Sequence, residues 1–377
     1  MALKNVFRTL SVVAVAITVS MLAGCARRTD GAAGQSIPMR YATLLRIEQH
    51  DGYRIAIVKD PWKPRAVLHR YALVERDMPL PKGLEAQTTV IRVPLRRMCV
   101  ATSVHAGLME QLGALRSVKS VCEGKYIFNP AIKEAVKDGR IKDVGSGLNP
   151  SVELIAQLQT DALLMSPFES ASYGLLEKTG IPIIECADYM ENSALARAEW
   201  MRFYGMLTGR EAEADSLFED VVRSYEATKQ LAASTRERPK LLVDMLQGNT
   251  WYIPGGGSIY GALYRDAAAD FSIADQSVSG SQPLSMEKVM AEAKDADIWL
   301  IKYSRPQEYT YAELLRENAL YSQLAPMRER HIFGCNTLRV PFYEVAPFRP
   351  DLLLRDIVHI LHPQLLPDHR LIFFKPL

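Results

Sequence analysis

Two matched glutamates are the side chains whose type and spacing most suggest chemistry in this sequence. The stretch "GLNPSVELIAQLQTDALLMSP" carries Glu153 near a helix start, and "QPLSMEKVMAEAKDADIWLIKY" carries Glu287 at the same place when Ser151 is aligned with Ser285. The helix dipole stabilises a carboxylate there by ~0.3–1 kcal/mol, which is enough to explain one acid in a first helical turn. Two equivalent acids also predict contact with two basic sockets on a two-fold symmetric membrane partner.

Residues that follow apolar strands are the candidates for a ligand cleft, because open α/β sheets bind ligands at the carboxyl ends of their strands. In "NTWYIPGGGSIY", Trp251 and Tyr252 follow such a strand, and their rings could cover a flat ligand. Since tryptophan is usually mostly buried, the alternative that one or both rings belong to the core stays open. The predicted ligand-binding residues are Thr102, Ser103, Tyr126, Phe168, Glu169, Trp251, Tyr252, Tyr303 and Arg339.

The seven histidines are dispersed, so a bare metal ion, which needs three or four converging ligands, is a weaker alternative. His359 and His362 share a helix face but lie near a solvated helix end. His105, on the helix after the first strand of the α/β region, could support a haem iron, although a histidine that packs helices is more common. We therefore predict no metal site.

Enzyme signatures are absent from the sequence. It contains no G-x-S-x-G, P-loop or H-E-x-x-H motif, and "PGGGS" lacks the lysine of a phosphate loop. We therefore predict no catalytic residues and no cofactor. A surface lipoprotein without a transport role is a third class, and it would not require two matched lobes around a cleft.

The first residues, "MALKNVFRTLSVVAVAITVSMLAGC", predict an export signal. Lys4 and Arg8 precede an apolar run that is too short for a stable membrane anchor, and small residues lead to Cys25. The tetrad "LAGC" resembles the lipobox of bacterial lipoproteins, which implies a lipidated Cys25 on the periplasmic side of a membrane. A simple export signal that happens to contain a cysteine is the alternative.

The net charge and the cysteines indicate which partners and bound metals the sequence does not predict. Removing residues 1–24 takes away Lys4 and Arg8 and no acid, so the formal net charge falls from +2 to zero, and nothing suggests a nucleic-acid partner. The four cysteines other than Cys25 match no zinc motif and are predicted to be small buried hydrophobes. Since exported proteins do form disulfides, Cys99 with Cys122 is the first pair to check.

Hydrophobic periodicity predicts an α/β fold with two Rossmann-like parallel-sheet lobes joined by a long α-helix, and an N-terminal β-rich extension. The extension contains a hairpin signal at His50, Asp51 and Gly52. After it, strands and helices alternate. An apolar stripe begins at Ala214, and about two dozen helical residues there would span roughly 35 Å. The predicted segments are a signal peptide (1–24), a tether and β-rich extension (25–95), an N-terminal lobe (96–190), a connecting helical segment (191–236), and a C-terminal lobe and tail (237–377).

The export signal, the two lobes, the connecting helix and the paired "NPSVELIAQLQTDALLMS" and "LSMEKVMAEAKDADIWLI" resemble the periplasmic binding proteins of ABC importers for iron complexes and cobalamin. The resemblance covers about residues 90–362 and leaves the β-rich extension outside. It implies a monomer that holds a ferric siderophore, haem or cobalamin between its lobes. It also implies that Glu153 and Glu287 dock onto arginines of the two permease subunits, which work with their ATPase subunits.

Overall fold

The computed structural model describes residues 34–170 and 172–377. The predicted signal peptide and Cys25 lie outside the described residues. None of the described helices combines the length and the apolar character needed to cross a membrane.

The β-rich extension forms a five-stranded sheet whose strands follow chain order, antiparallel except for the last, parallel pair. Asp51 and Gly52 make the two-residue turn of the predicted hairpin, and Gly52 has the positive φ (80°) that this turn requires. The sheet is fastened to the rest of the protein by Glu191 and Glu199, whose carboxylates accept backbone N–H groups from residues 40–44. The strands are β1 (Gln35–Ile37), β2 (Leu45–His50), β3 (Tyr53–Lys59), β4 (Val67–Glu75) and β5 (Thr88–Val93).

The N-terminal lobe contains a parallel sheet built from alternating strands and helices. Its elements are β6 (Met98–Val100), α1 (Ser103–Gln111), β7 (Val118–Val121), α2 (Pro130–Lys137), β8 (Lys142–Asp143), β9 (Gly145–Ser146), β10 (Asn149–Pro150), α3 (Val152–Gln157), β11 (Ala162–Met165) and β12 (Ile183–Glu185). The sheet order is β12-β11-β6-β7-β8, and β9 pairs with β10 separately. The segment "ASYGLLEKTG", expected to be an α-helix, forms a 3₁₀ helix at Gly174–Thr179 instead.

The connecting segment contains three helices rather than one: α4 (Ala194–Glu199), α5 (Met201–Thr208) and α6 (Glu211–Ala233). The expectation of one long helix is wrong for the first part, because Gly209 ends α5 in the left-handed conformation (φ 67°) that terminates helices. The helical stripe from Ala214 is confirmed, since α6 is continuous over 23 residues. Both α5 and α12 (Pro350–Leu361) pack against α6, so the link is a small bundle.

The C-terminal lobe repeats the parallel-sheet plan. Its elements are β13 (Leu241–Val243), β14 (Leu246–Gln247), β15 (Thr250–Pro254), α7 (Ile259–Asp266), β16 (Ser281–Leu284), α8 (Met286–Glu292), β17 (Ile298–Tyr303), α9 (Tyr311–Glu317), α10 (Ala325–Glu329), β18 (Ile332–Asn336), α11 (Phe342–Val345), α12 and β19 (Lys375–Pro376). The main sheet has the order β13-β17-β18-β19, parallel except for β19. An antiparallel sheet of order β14-β15-β16 lies beside it.

The repeated helix–strand unit is visible in its hydrogen bonds. Ser151 caps α3 and Ser285 caps α8, each accepting the N–H three residues on. The aspartate that begins the following strand then fastens it to the first strand of its lobe. Asp161 accepts the N–H groups of Arg96 and Arg97 before β6, and Asp297 accepts that of Lys240 before β13. The repeat therefore has a structural role in both lobes.

All four cysteines of the described region are buried and free, as predicted for small hydrophobes. No disulfide joins Cys99 and Cys122, although Cys99 lies on β6 and Cys122 directly follows the neighbouring strand β7. Interaction with the thiol of Cys122 lowers the pKa of Cys99, whereas interaction with Cys99 and burial raise the pKa of Cys122.

Candidate ligand-binding site

Two cavities lie at the carboxyl ends of the parallel strands, one in each lobe. The C-lobe cavity, about 490 Å³, is bounded by residues that follow β13, β17 and β18 and by the small sheet, including Asp244, Tyr252, Lys302 and Thr337. The N-lobe cavity, about 270 Å³, is bounded by residues that follow β6, β7 and β11. Ligand pockets of soluble proteins typically measure about 300–1,000 Å³. The C-lobe cavity falls within this range, and the N-lobe cavity lies just below it.

Lys302 and Asp244 are the charged residues that line the C-lobe cavity. Burial acts to lower the pKa of Lys302, but the Coulombic effects of Tyr260 and Asp244 outweigh it and raise the pKa, so the ammonium stays charged. Burial also raises the pKa of Asp244, while Lys302 opposes that shift. The backbone of Asp244 is left-handed (φ 58°) and is held by a hydrogen bond from its N–H to Leu300 O (2.8 Å) and one from Trp299 Nε1 to its carbonyl (2.7 Å). Such conformations cost free energy and concentrate at functional sites.

Tyrosines form most of the aromatic wall of the C-lobe cavity. They are Tyr252, Tyr260, Tyr303 and Tyr343. Tyr252 and Tyr343 are 42% and 49% exposed, so their rings are free to contact a ligand. Tyr303 is held in place, because its hydroxyl donates to Glu308 (2.8 Å) and accepts the N–H of Tyr309 (3.2 Å).

The N-lobe cavity has a hydroxyl-rich wall with one acidic residue, Glu123. It includes Thr102, Ser103, Ser166, Phe168, Ser172 and Tyr173. Phe168 is 48% exposed, as a ring that contacts a ligand would be. Tyr173 donates its hydroxyl to Glu185 (3.0 Å), and its burial together with that carboxylate raises its pKa.

A buried charge network lies behind the N-lobe cavity. Asp188 accepts from His105 Nε2 (2.8 Å), from the Tyr204 hydroxyl (2.8 Å) and from Arg197 Nε (3.0 Å). Although burial acts to lower it, Cys186 and Asp188 raise the pKa of His105 to about 10, so the ring is a cation at neutral pH. His105 is 1% exposed, and its other nitrogen lies 2.6 Å from the hydroxyl of Thr102. The suggestion that His105 supports a haem iron is therefore wrong, because both nitrogens are engaged in the core.

The two lobes also meet directly, at a second contact besides the connecting helices. Helix α11 packs on α1, and a Cβ added at Gly107 would lie 2.7 Å from the carbonyl of Glu344, so a glycine is needed for this approach. The buried carboxylate of Glu344 accepts the N–H groups of Phe128 and of Asn129 (2.8 Å). Ser103 at the start of α1 lines one cavity and Tyr343 in α11 lines the other. This contact therefore joins the walls of the two cavities.

The structure brings five of the nine predicted ligand-binding residues to the cavities and leaves four outside. Thr102, Ser103 and Phe168 line the N-lobe cavity, and Tyr252 and Tyr303 line the C-lobe cavity. Outside the cavities lie Tyr126, which is exposed with Lys125 over its ring (4.7 Å), Glu169, which is exposed, Arg339, which donates to Pro306 O, and Trp251.

The expectation that Trp251 faces the cleft is wrong. Its side chain is 0% exposed, its Nε1 donates to Val243 O (2.8 Å), and its ring packs against Trp299 and Tyr321. Alternation along β15 explains the difference, since successive side chains of a strand point to opposite faces. Tyr252 therefore faces outward where Trp251 faces the core.

Sequence reasoning missed Lys302, Asp244, Tyr260, Tyr343 and Tyr173. A signal existed for the first two, because each is a charged residue at the end of an apolar strand, in "DIWLIKY" and "KLLVDML". The glycine run at 255–257 is a signal of close backbone packing, not of a ligand-binding side chain. A Cβ at Gly255 would lie 2.2 Å from Val278 O, so these glycines permit a close backbone approach beside the cavity.

Glu153 and Glu287 occupy equivalent positions, each the second residue of its helix after the serine cap, and both are exposed. Hydrogen bonds from the backbone of Glu287 itself and from Ser285 lower the pKa of Glu287, so its carboxylate is charged at neutral pH. Within residues 34–170 and 172–377, no group of three or more His, Cys, Asp or Glu side chains is arranged to hold a metal ion.

Two parallel-sheet lobes, a helical link and cavities at the carboxyl ends of both sheets define a two-lobed solute-binding protein. The chain belongs to the periplasmic binding protein family, whose sequence profile matches residues 109–337. This family works with ABC permease and ATPase components. The resemblance inferred from the sequence is thereby confirmed, as is the α/β fold with its two lobes.

Individual proteins show the same likeness. An uncharacterized lipoprotein of Methanocaldococcus jannaschii is 25% identical over 334 residues, which cover 84% of this chain and 78% of that protein. A possible iron-binding (periplasmic solute-binding) protein from Staphylococcus epidermidis superposes with a TM-score of 0.58 at 16% identity, over 71% of this chain and 99% of that one. The apo form of a periplasmic heme-binding protein from Roseiflexus gives a TM-score of 0.54 at 18% identity, over 72% and 99%. At these identities the solved structures support the fold alone.

Proposed function

We propose that this protein captures an iron complex, either a ferric siderophore or haem, or cobalamin, in the cleft between its lobes and delivers it to an ABC permease. The observation that carries the proposal is the pair of cavities at the carboxyl ends of the two sheets, whose walls are joined through α1 and α11. Exposed rings on both sides, Phe168 and Tyr252, suit the flat or aromatic surface of a large chelate.

In this proposal Cys25 carries the lipid that keeps the protein on the periplasmic side of a membrane. The relatives named lipoproteins support it, as does the "LAGC" tetrad. Glu153 and Glu287 serve as the docking residues, one on each lobe, for the two permease subunits. Their exposure and their matching places on α3 and α8 support this role.

The identity of the ligand is tested by an absorbance spectrum of the protein purified from its native host, because haem, ferric siderophores and cobalamin are all coloured. We expect a visible band in near-stoichiometric amount that is lost on unfolding and dialysis. A colourless protein that also binds no added chelate would overturn the proposal.

A further inference from the structure

The C-lobe cavity contains a cation that makes no direct ion pair. Lys302 is the fifth residue of β17, and its Nζ lies 4.9 Å from the ring centre of Tyr260 and 5.5 Å from that of Phe342. Among the described residues, no carboxylate oxygen lies within 4.0 Å of this ammonium. Aromatic rings stabilise a cation through their negative faces, but they do not replace an anionic hydrogen-bond acceptor.

Asp244, the other charged residue of the wall, raises the pKa of Lys302 through its negative charge but makes no direct ion pair with it. The backbone of Asp244 is held by hydrogen bonds with Leu300 O and Trp299 Nε1. Lys302 is partly buried, and a charge in such a site is stabilised by a directly hydrogen-bonded anion. The ammonium therefore has an open position on the side that faces the cavity.

A second feature makes the same wall favourable to negative charge. Helix α7 begins directly after Ser258, which lines the cavity, so the positive end of its helix dipole lies at this wall. The hydroxyls of Tyr252 and Tyr343 add hydrogen-bond donors beside it.

We propose that Lys302 selects the ligand by charge, so that the C-lobe cavity takes a chelate bearing an acidic group, a carboxylate or another anionic oxygen, in preference to a neutral one. This inference rests on the proposed function, and it adds the chemical class of the ligand and the residue that recognises it.

The experiment compares charged and neutral probes of the same shape. Haem, which has two propionates, and its dimethyl ester are titrated into the protein lacking residues 1–25. A second pair is an anionic ferric tris-catecholate and a neutral ferric trihydroxamate. The variants are Lys302→Met, Lys302→Arg, which keeps the charge, Asp244→Asn, and the exposed control Lys294→Met. Circular dichroism establishes that each variant is folded.

We expect wild type to bind the anionic member of at least one pair about tenfold or more tightly than the neutral member, a difference typical of one charged hydrogen bond. Lys302→Met should abolish this preference, whereas Lys302→Arg and Lys294→Met should keep it. Asp244→Asn should keep or enlarge it, because a nearby negative charge is removed. If Lys302→Met does not fold, the other two variants still test the effect of charge. The preference for the anionic probe should persist in Lys302→Arg and should persist or increase in Asp244→Asn.

The inference is overturned on its own if chelates bind but wild type shows no preference for charge, or if Lys302→Met keeps the preference. If no probe of either charge binds wild type, the proposed function fails and the inference fails with it.

Discussion

At the level of single residues, the repeated helix–strand unit contains residues with two different roles. Some stabilise the lobe, and one glutamate is proposed to dock onto a partner. The serine cap and the aspartate have structural partners within each lobe, as Ser151 and Asp161 show. Glu153 and Glu287 are exposed beside them. Their proposed role is therefore the part of the repeat that packing within the lobe does not explain.

Replacement of both proposed docking residues should reduce uptake without affecting ligand binding. In Glu153→Ala with Glu287→Ala, we expect unchanged ligand affinity and thermal stability but reduced transport. A single change should act mildly, because an exposed ion pair contributes only ~0–1 kcal/mol, and the double lysine variant should be worse, because repulsion replaces attraction. Transport of labelled chelate by cells measures the effect.

Glu134 and Glu329 provide the matched control, since both are exposed acids on helices, one in each lobe. The double variant Glu134→Lys with Glu329→Lys should transport normally. Full uptake by the variant with lysine in place of both Glu153 and Glu287 would contradict the docking role. The repeated glutamate would then reflect only the preference for acidic residues at helix starts.

The His105–Asp188 pair predicts a pH dependence of stability. The pKa of His105 rises from its ordinary 6.5 to about 10, so its contribution is fully present below pH 6.5 and is lost as pH rises through about 10. His105→Leu leaves the Asp188 carboxylate without one buried partner and should reduce the free energy of unfolding by about 3–5 kcal/mol near pH 6. Urea unfolding of both proteins from pH 6 to 10 should show the difference shrinking. A difference that stays constant across this range would contradict a charged His105.

Trp251 and Tyr252 are neighbours with opposite expected effects. Trp251→Ala removes a fully buried ring and should cost about 3–5 kcal/mol of unfolding free energy. Tyr252→Ala, at an exposed cavity position, should leave stability nearly unchanged but weaken ligand binding by ~1–3 kcal/mol, by analogy with stacked bases. Denaturant titration and ligand titration on both variants separate the two effects. Unchanged binding in Tyr252→Ala would remove its ring from the ligand site.

At the level of elements, hydrophobic periodicity predicted most strands and helices but not where one helix ends and the next begins. The apolar stripe identified α6, whereas the break before it depended on Gly209, whose left-handed conformation the stripe does not encode. The hairpin at Asp51 and Gly52 was predictable because that turn type requires a specific dipeptide. The 3₁₀ helix at Gly174–Thr179 was not, since its apolar spacing also fits an α-helix.

The predicted ligand-binding residues line a cavity where the prediction depended on strand ends and lie outside it where the prediction depended on side-chain direction. Thr102 and Phe168 line a cavity because they follow parallel strands, and that placement is readable from the sequence. Trp251 is buried because of its register in β15, which is set by its pairing with β14 and β16. Lys302 was missed because a lysine after an apolar strand usually points to solvent.

Two connections between the lobes predict limited closure on ligand binding. The link is a bundle of α5, α6 and α12, and Glu344 fastens α11 to the start of α2. Small-angle scattering should therefore give nearly equal radii of gyration with and without chelate. Glu344→Gln should increase the difference, because one carboxylate then no longer accepts both N–H groups, while the exposed Glu329→Gln should not. A large compaction of wild type would contradict two rigid connections.

At the level of the whole molecule, residues 34–170 and 172–377 combine a β-sheet extension, two matched lobes and a double connection between them. The lobes supply cavities of different chemistry, one with Lys302 and tyrosines and one with hydroxyls. Such an arrangement suits a ligand with unlike ends that is held between the lobes and released at a membrane partner.

Equilibrium titration of the protein lacking residues 1–25 with haem, a ferric siderophore and cobalamin, followed by absorbance and recovery of the ligand, tests this account most directly. We predict saturable one-to-one binding of at least one of them by a monomer, with the ligand recovered chemically unchanged. Failure to bind any of the three, or their conversion to a product, would contradict the central claim that this protein is a carrier of metal chelates.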